Sequence, residues 1–180
     1  MNKTTPHLRP LTTTDIDRDL VQQLFTQPST ARFWFHPPFQ NPKAAAKFVK
    51  KHSQSNRIIS MVIQAPVADD LTEVGLIELV ELDSIARTGE LEITLLDQFQ
   101  GKGYAQIAFA QMIDFLFTYH NLHKIFLLVD VDNAPAIHIY QKQGFTIEGT
   151  IKDQFFASGA YHNVYYMGLT QKQYHKITAD

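Results

Sequence analysis

The stretch FQGKGYAQIAFA, Phe99 to Ala110, sets two glycines and a lysine directly before a run that reads as a helix. A helix that begins on glycine has no side chain to cap its first backbone N–H groups. Those groups and the positive end of the helix dipole together make an anion site, with phosphate as the natural occupant. Three phosphate motifs compete for the stretch. A Walker A loop requires G-x-x-x-x-G-K-[ST], but Lys102 precedes the second glycine instead of following it. A dinucleotide fingerprint requires a small residue where Gln106 stands and a parallel βαβ unit around it. The pattern Q-x-x-G-x-A fits in full as Gln100, Gly101, Lys102, Gly103, Tyr104 and Ala105. An ordinary glycine turn fits the same six residues, so the flanking sequence has to decide.

Upstream, LRPL (8 to 11) is a short edge strand, and TTTDIDRDLVQQLF is a helix capped at Thr13 or Thr14 with acids in its first turn. QPSTARFWFHPPFQNP (27 to 42) reads as a proline-rich aromatic loop, and Lys43 to His52 as a second helix. RIISMVIQ (57 to 64), EVGLIELVELD (73 to 83) and GELEITLL (89 to 96) are strands, the first two joined by a turn at Asp69 and Asp70. Their short connections predict an antiparallel meander. Downstream, a helix from Tyr104 to about His120 places Ala108, Met112, Phe115 and Tyr119 on one face. IFLLVDV (125 to 131) is a buried-type strand, and Asn133 caps a short helix that Gly144 ends. FTIEGTI and NVYYMGL close the chain as strands. The expected class is α+β: a central mixed, mostly antiparallel sheet flanked by helices.

The 180 residues suffice for one sizeable core, so 1–180 is read as one domain. A net charge of −2 attracts neither nucleic acid nor an anionic membrane, and no apolar run approaches the roughly 20 residues of a membrane span. MNKTTPHLRP lacks the apolar core of a secretory signal, so a cytoplasmic protein is expected. With no cysteine, disulfides, thiol nucleophiles and thiolate zinc sites are excluded. His120 and His123 straddle a helix end and lack a carboxylate motif, so no metal is expected. The charge is unevenly spread. No acid lies between Asp19 and Asp69, whereas nine lie from Asp69 to Asp97 against the single base Arg87.

The segments RFWF (32 to 35), GLIELVELD (75 to 83), FQGKGYA (99 to 105), NLHKIFLLVD (121 to 130), NAPAIHIYQKQGF (133 to 145) and QFF (154 to 156) settle the glycine stretch. In this order, between Arg9 and Tyr174, they resemble the bacterial spermidine N-acetyltransferases of the GNAT acyltransferase superfamily, in which Q-x-x-G-x-A is the pyrophosphate loop. The resemblance implies a GNAT fold, acetyl-CoA as acetyl donor and a primary amine as acceptor: polyamine-like, amino-acid-like or a peptide N-terminus. It also implies a splayed strand before the loop, whose backbone at Ile93, Thr94 and Leu95 binds the donor's pantetheine arm. Sheet core explains those three residues equally well.

Acetyl transfer needs a neutral amine, a held carbonyl and a proton for the departing thiolate. Tyr140, in IHIYQKQGF, suits the last task because a phenol and an alkyl thiol have similar pKa values, and the resemblance assigns it general acid; packing is the plain alternative. Asn133 matches a coenzyme-contacting asparagine of the family, although helix capping explains it too. Glu81 ranks first as base, then Glu90, both at acidic acceptor-site positions of the family. Glu78 and Glu81, three apart on a strand, face opposite ways unless a bulge intervenes. Glu78, Glu90 and Phe35 are expected at the acceptor. The aromatic cluster Phe33, Trp34, Phe35 and Phe39 is read as cleft wall or core rather than a base-stacking surface.

One region departs from the family. Its polyamine enzymes follow Trp-Phe with Glu-Glu-Pro-Tyr-Glu, whereas here His36, Pro37, Pro38, Phe39 and Gln40 follow, ahead of Lys43, Lys47, Lys50 and Lys51. This predicts loss of the family's regulatory polyamine site, an acceptor other than a free polyamine and an assembly no longer fixed as a ring, with a homo-oligomer possible. A non-catalytic acyl-CoA sensor is the alternative function. A structural protein without a ligand leaves the loop unexplained.

Overall fold

The computed structural model describes residues 5–33, 41–68 and 70–179, with the side chains of residues 31 and 33 left aside; Trp34, Phe35 and His36–Gln40 therefore lie outside it, as does Asp69. In chain order the elements are β1 (His7–Pro10), α1 (Asp15–Leu24), α2 (Pro28–Phe33), α3 (Pro42–Ser53), β2 (Ile59–Val67), β3 (Asp70–Asp83) and β4 (Thr88–Leu95). A short 3-10 turn (Asp97–Phe99) leads to α4 (Tyr104–Thr118), β5 (Lys124–Asp130), α5 (Ala134–Lys142), β6 (Thr146–Ala157), β7 (Ala160–Thr170) and α6 (Gln171–Thr178). Among the described residues no helix is long and apolar enough to cross a membrane.

The strands form one seven-stranded sheet in the order β1-β2-β3-β4-β5-β7-β6. Every neighbouring pair is antiparallel except β4 and β5. The mixed, mostly antiparallel sheet and its meander are as expected. The single parallel step matters most for function. Pairing between β4 and β5 runs only through Thr88 with Lys124, Gly89 with Ile125 and Glu90 with Phe126, yet β4 continues to Leu95 and β5 to Asp130. Past Glu90 the two strands diverge and the sheet opens into a fork.

Local sequence explains the helices beside the fork. Thr14 caps α1 by accepting from the Asp17 N–H at 3.3 Å, and Asn41 caps α3 at Ala44, with Pro42 fitting the first helical position. α4 is held by Ala108, Phe109, Met112, Ile113, Leu116 and Phe117, all buried. Tyr119, expected on that face, is instead 75% exposed, because α4 ends at Thr118 and the chain turns away there. Asn133 caps α5 through Ala136, and Gly144 follows the helix at φ +92°.

Two helices escape the sequence reading. α2 occupies part of the expected 27–42 loop: Pro28 starts it, and the Gln27 side chain bonds Thr30 at 3.0 Å and the Leu95 carbonyl at 2.8 Å. That clamp pins α2 to the end of β4. α6 is introduced by a capping box in which Thr170 and Gln173 satisfy each other's backbone N–H. The T-x-x-Q pattern that produces it is present in the sequence.

Candidate active site

The fork holds a cavity of about 420 Å³, walled by β4 from Glu90 to Leu95, by Leu128 to Asp130 on β5, by Gln100, Gly101 and Ala105 at the start of α4, and by Asn133 and Tyr140 of α5. Ser29 and Thr30 of α2 close one side. Its floor is backbone. The Leu96 N–H donates to Val74 on β3, so by strand alternation the peptide groups of residues 94 and 92 face β3 and those of 91, 93 and 95 face the fork. Ile93 and Leu95 therefore present their main chains to the cavity. Thr94 contributes its side chain, whose hydroxyl is buried with no partner among the described residues.

At one end of the cavity lies the glycine loop. Gly101 and Gly103 both take positive φ, +73° and +80°, and Gly103 is the N-cap of α4 with no side chain capping it. Among the described residues none of the backbone N–H groups from Gly101 to Gln106 makes a hydrogen bond. That is an array of donors at a helix N-terminus, as an anion requires. Gln100 serves the loop itself: its amide donates to Asp97 at 3.0 Å and to Ser29 at 3.3 Å. Lys102 lies over the Phe99 ring at 5.1 Å, and the Tyr104 hydroxyl donates to the Pro66 carbonyl. Their side chains shape the loop while the backbone carries the donors.

At the opposite end stand carboxylates. Glu90 sits at the crotch of the fork and receives the Leu128 N–H; burial first, and the charge of Glu81 second, raise its pKa to about 7. Glu92, two residues on and also lining the cavity, is raised to about 8 by burial and then by Glu90, Glu78 and Glu81. Glu81 is exposed, with φ +53° at a bulge where the β3–β4 register shifts between Val80 and Asp83. The bulge anticipated as an exception is present, and it brings Glu81 close enough to act on both cavity carboxylates. Glu78 lies behind the cavity wall and is 1% exposed, its Oε1 accepting from Ser60 Oγ and in contact with His52 Nδ1 at 2.8 Å. Phe35 falls outside the described residues.

Tyr140 faces the cavity with its ring against Phe109 at 5.0 Å, and its hydroxyl has no hydrogen-bond partner among the described residues. Burial, with the negative charge of Glu92 added, pushes its pKa further above the ordinary phenol value. Its i−3 and i−4 neighbours, Ile137 and Ala136, are half-buried on the core.

A family model described as an acetyltransferase (GNAT) domain matches residues 7–146. The chain belongs to the GNAT acetyltransferase family. The acetyltransferase is 36% identical over 167 residues to spermidine N(1)-acetyltransferase of Escherichia coli strain K12, covering 93% of this chain and 87% of that protein. It is 32% identical over 158 residues to the Vibrio cholerae enzyme of the same name, covering 88% and 90%. The crystal structure of spermidine N-acetyltransferase from Vibrio cholerae in complex with CoA and spermine superposes with a TM-score of 0.86, covering 95% of this chain and 98% of that one. The GNAT fold, the acetyl-CoA donor and the N-acetyltransferase activity expected from the sequence are thereby shown.

The cavity offers, among the described residues, unpaired N–H groups at the α4 end and an open strand edge, the features a pyrophosphate and an extended amide-bearing arm would use. Sequence reasoning missed Glu92, although the alternation in GELEITLL puts it on the same face as Glu90. It also missed Ser29 and Thr30, which lie in the stretch read as loop. Replacing Gly103 with alanine tests the loop. A Cβ there meets nothing within 4 Å, so crowding is absent, but at φ +80° a non-glycine residue costs about 1–2 kcal/mol. The expected result is about tenfold weaker CoA binding by calorimetry; unchanged affinity would remove the loop from the donor site.

Proposed function

We propose that the chain, folded over 1–180 as one domain and working in the cytoplasm, acetylates a primary amine of a polyamine. The observation that carries this reading is the carboxylate group at one end of the cavity, Glu90 and Glu92 with the charge of Glu81 acting on both, at the opposite end from the anion-binding loop. A polycation is drawn to the acidic end and a pyrophosphate to the basic one. The acids on β3 and β4 give the cavity an acidic end even without the run missing after Trp34-Phe35, so the expectation of an acceptor other than a free polyamine gives way. The relatives named for spermidine acetylation support the same class.

In this reading Glu92 accepts the ammonium's proton, the amine nitrogen attacks the thioester carbonyl, and the backbone at Ile93 and Leu95 receives the developing negative charge. Tyr140 then gives its proton to the thiolate as the carbon–sulfur bond breaks, and the second proton of the attacking nitrogen passes back to the Tyr140 phenolate, leaving an amide, a free thiol and a restored phenol. Asn133, whose Oδ1 is committed to capping α5, keeps its amide N–H groups for the donor molecule. The relatives, and a Tyr140 hydroxyl with no partner among the described residues, favour turnover over the non-catalytic sensor.

The test is release of CoA thiol with spermidine, spermine, a diamine, amino acids and short peptides as acceptors. A kcat/KM at least tenfold higher for a polyamine, about 1.4 kcal/mol of transition-state preference, is expected. An amino acid or peptide as the best acceptor would overturn the assignment.

A further inference from the structure

Behind the cavity wall, three strands present polar side chains in one row. Ser60 on β2 is the register partner of Glu78 on β3, and Glu78 is the register partner of Glu92 on β4. Side chains of directly opposed residues project to the same face with Cβ atoms about 5 Å apart. Two carboxylates thus stand side by side, one behind the wall and one in the cavity, where like charges ordinarily destabilise a sheet. Glu78 is held from the far side: Ser60 Oγ donates to Oε1, and His52, at the end of α3 and stacked on Phe48 at 3.6 Å, also meets Oε1. Its second oxygen, Oε2, is buried with no partner among the described residues. A buried carboxylate oxygen with no donor is costly, and the neighbouring carboxyl can supply the missing proton.

We propose that Glu78 is a positioning residue that holds one proton jointly with Glu92 and thereby makes Glu92 the basic member of a carboxylate pair. The inference rests on the reading that Glu92 receives the amine's proton. Before the acceptor binds, Glu92 is the protonated partner, with its O–H directed to Glu78 Oε2, and the pair carries one negative charge beside His52. Loss of that proton to solvent leaves two adjacent carboxylates, one of them fully buried, an arrangement that an arriving ammonium neutralises and that takes up a proton from it readily. His52 and Ser60 keep Oε1 occupied, so Oε2 is the oxygen left for Glu92. Among the described residues the charged and titratable groups acting on Glu92 are Glu78 and Glu81 from β3, Glu90 from β4 and Tyr140 from α5, with His52 of α3 in contact with Glu78.

The experiment follows the Glu92 carboxyl by carbon-13 NMR across pH 4 to 10 in the free protein, assigned by its loss in Glu92→Gln, and in parallel the pH dependence of kcat/KM. Glu78→Gln keeps the shape and removes the charge. It is expected to move the Glu92 midpoint to lower pH by about one to two units, as one unit charge at this separation does in a partly buried site, and to move the kinetic limb with it. Glu78→Asp, which keeps the charge, should leave the midpoint well above the ordinary carboxylate range. Should Glu78→Gln fail to fold, Glu78→Leu serves, because an apolar side chain of similar volume removes the same charge and moves the Glu92 midpoint the same way. A Glu92 midpoint in the ordinary carboxylate range in the unaltered protein, or one indifferent to these substitutions, overturns the pairing. A raised and Glu78-dependent midpoint with no matching kinetic limb leaves the pair standing and overturns instead the role of Glu92 as proton acceptor.

Discussion

Tyr140→Phe should lower kcat by about 10²- to 10⁴-fold while leaving the affinity for CoA nearly unchanged, the range that loss of a positioned general acid produces. The phenol is placed for this by packing: its ring rests on Phe109 and Phe145, so deletion of one oxygen removes no core contact. Its hydroxyl has no partner among the described residues, and burial together with the charge of Glu92 pushes its pKa above the ordinary phenol value, so it stays protonated near neutral pH. A group that never loses its proton to solvent can still give it to a thiolate, whose proton affinity at the moment of bond cleavage rises toward that of the free thiol. Steady-state thiol release measures kcat, and calorimetry with CoA measures binding. Equal loss in both would assign Tyr140 to packing; loss of kcat alone is expected.

The parts of this architecture that were legible are those governed by short-range rules. Gly101 and Gly103 announce positive φ and an uncapped helix, and the alternation around Glu90 announces a strand with one polar face. Asn133 announces a cap, and the cap is formed. What the sequence left hidden is decided by contacts distant along the chain. α2 depends on a clamp between Gln27 and Leu95, 68 residues apart. The position of Glu81 depends on a bulge set by the β3–β4 register, and no local pattern around EL at 81 and 82 specifies it. Glu78 looked like a cleft residue until β2 and α3 supplied Ser60 and His52 to bury it. Glu92 was hidden for another reason: its role follows from the acids stacked around it more than from its own place in the strand.

Glu92→Gln gives a second large effect and two independent readings of it. If Glu92 must be ionised to take the ammonium's proton, kcat/KM in the unaltered enzyme rises with pH and levels off above about 8, where its carboxyl has lost its own proton. Glutamine can hold the amine but cannot accept the proton, so kcat is expected to fall by about 10²-fold or more and the limb near pH 8 to vanish. The same substitution should stabilise the fold. A carboxyl whose folded-state pKa lies above its unfolded value of 4.5 holds its proton more tightly when folded, so stability falls as pH rises from 4.5 to about 8 and stays reduced beyond. Each unit of that shift corresponds to about 1.4 kcal/mol, and because solvent in the cavity screens part of it a net gain of about 2 kcal/mol for glutamine at pH 8 is reasonable. For a chain of this size that raises Tm by about 4–8 °C at pH 8 and by nothing near pH 4.5. Thermal melting at the two pH values checks it. A variant that loses activity without gaining stability at high pH would mean that Glu92 meets the acceptor as an ordinary solvated carboxylate, its charge already accommodated by the site.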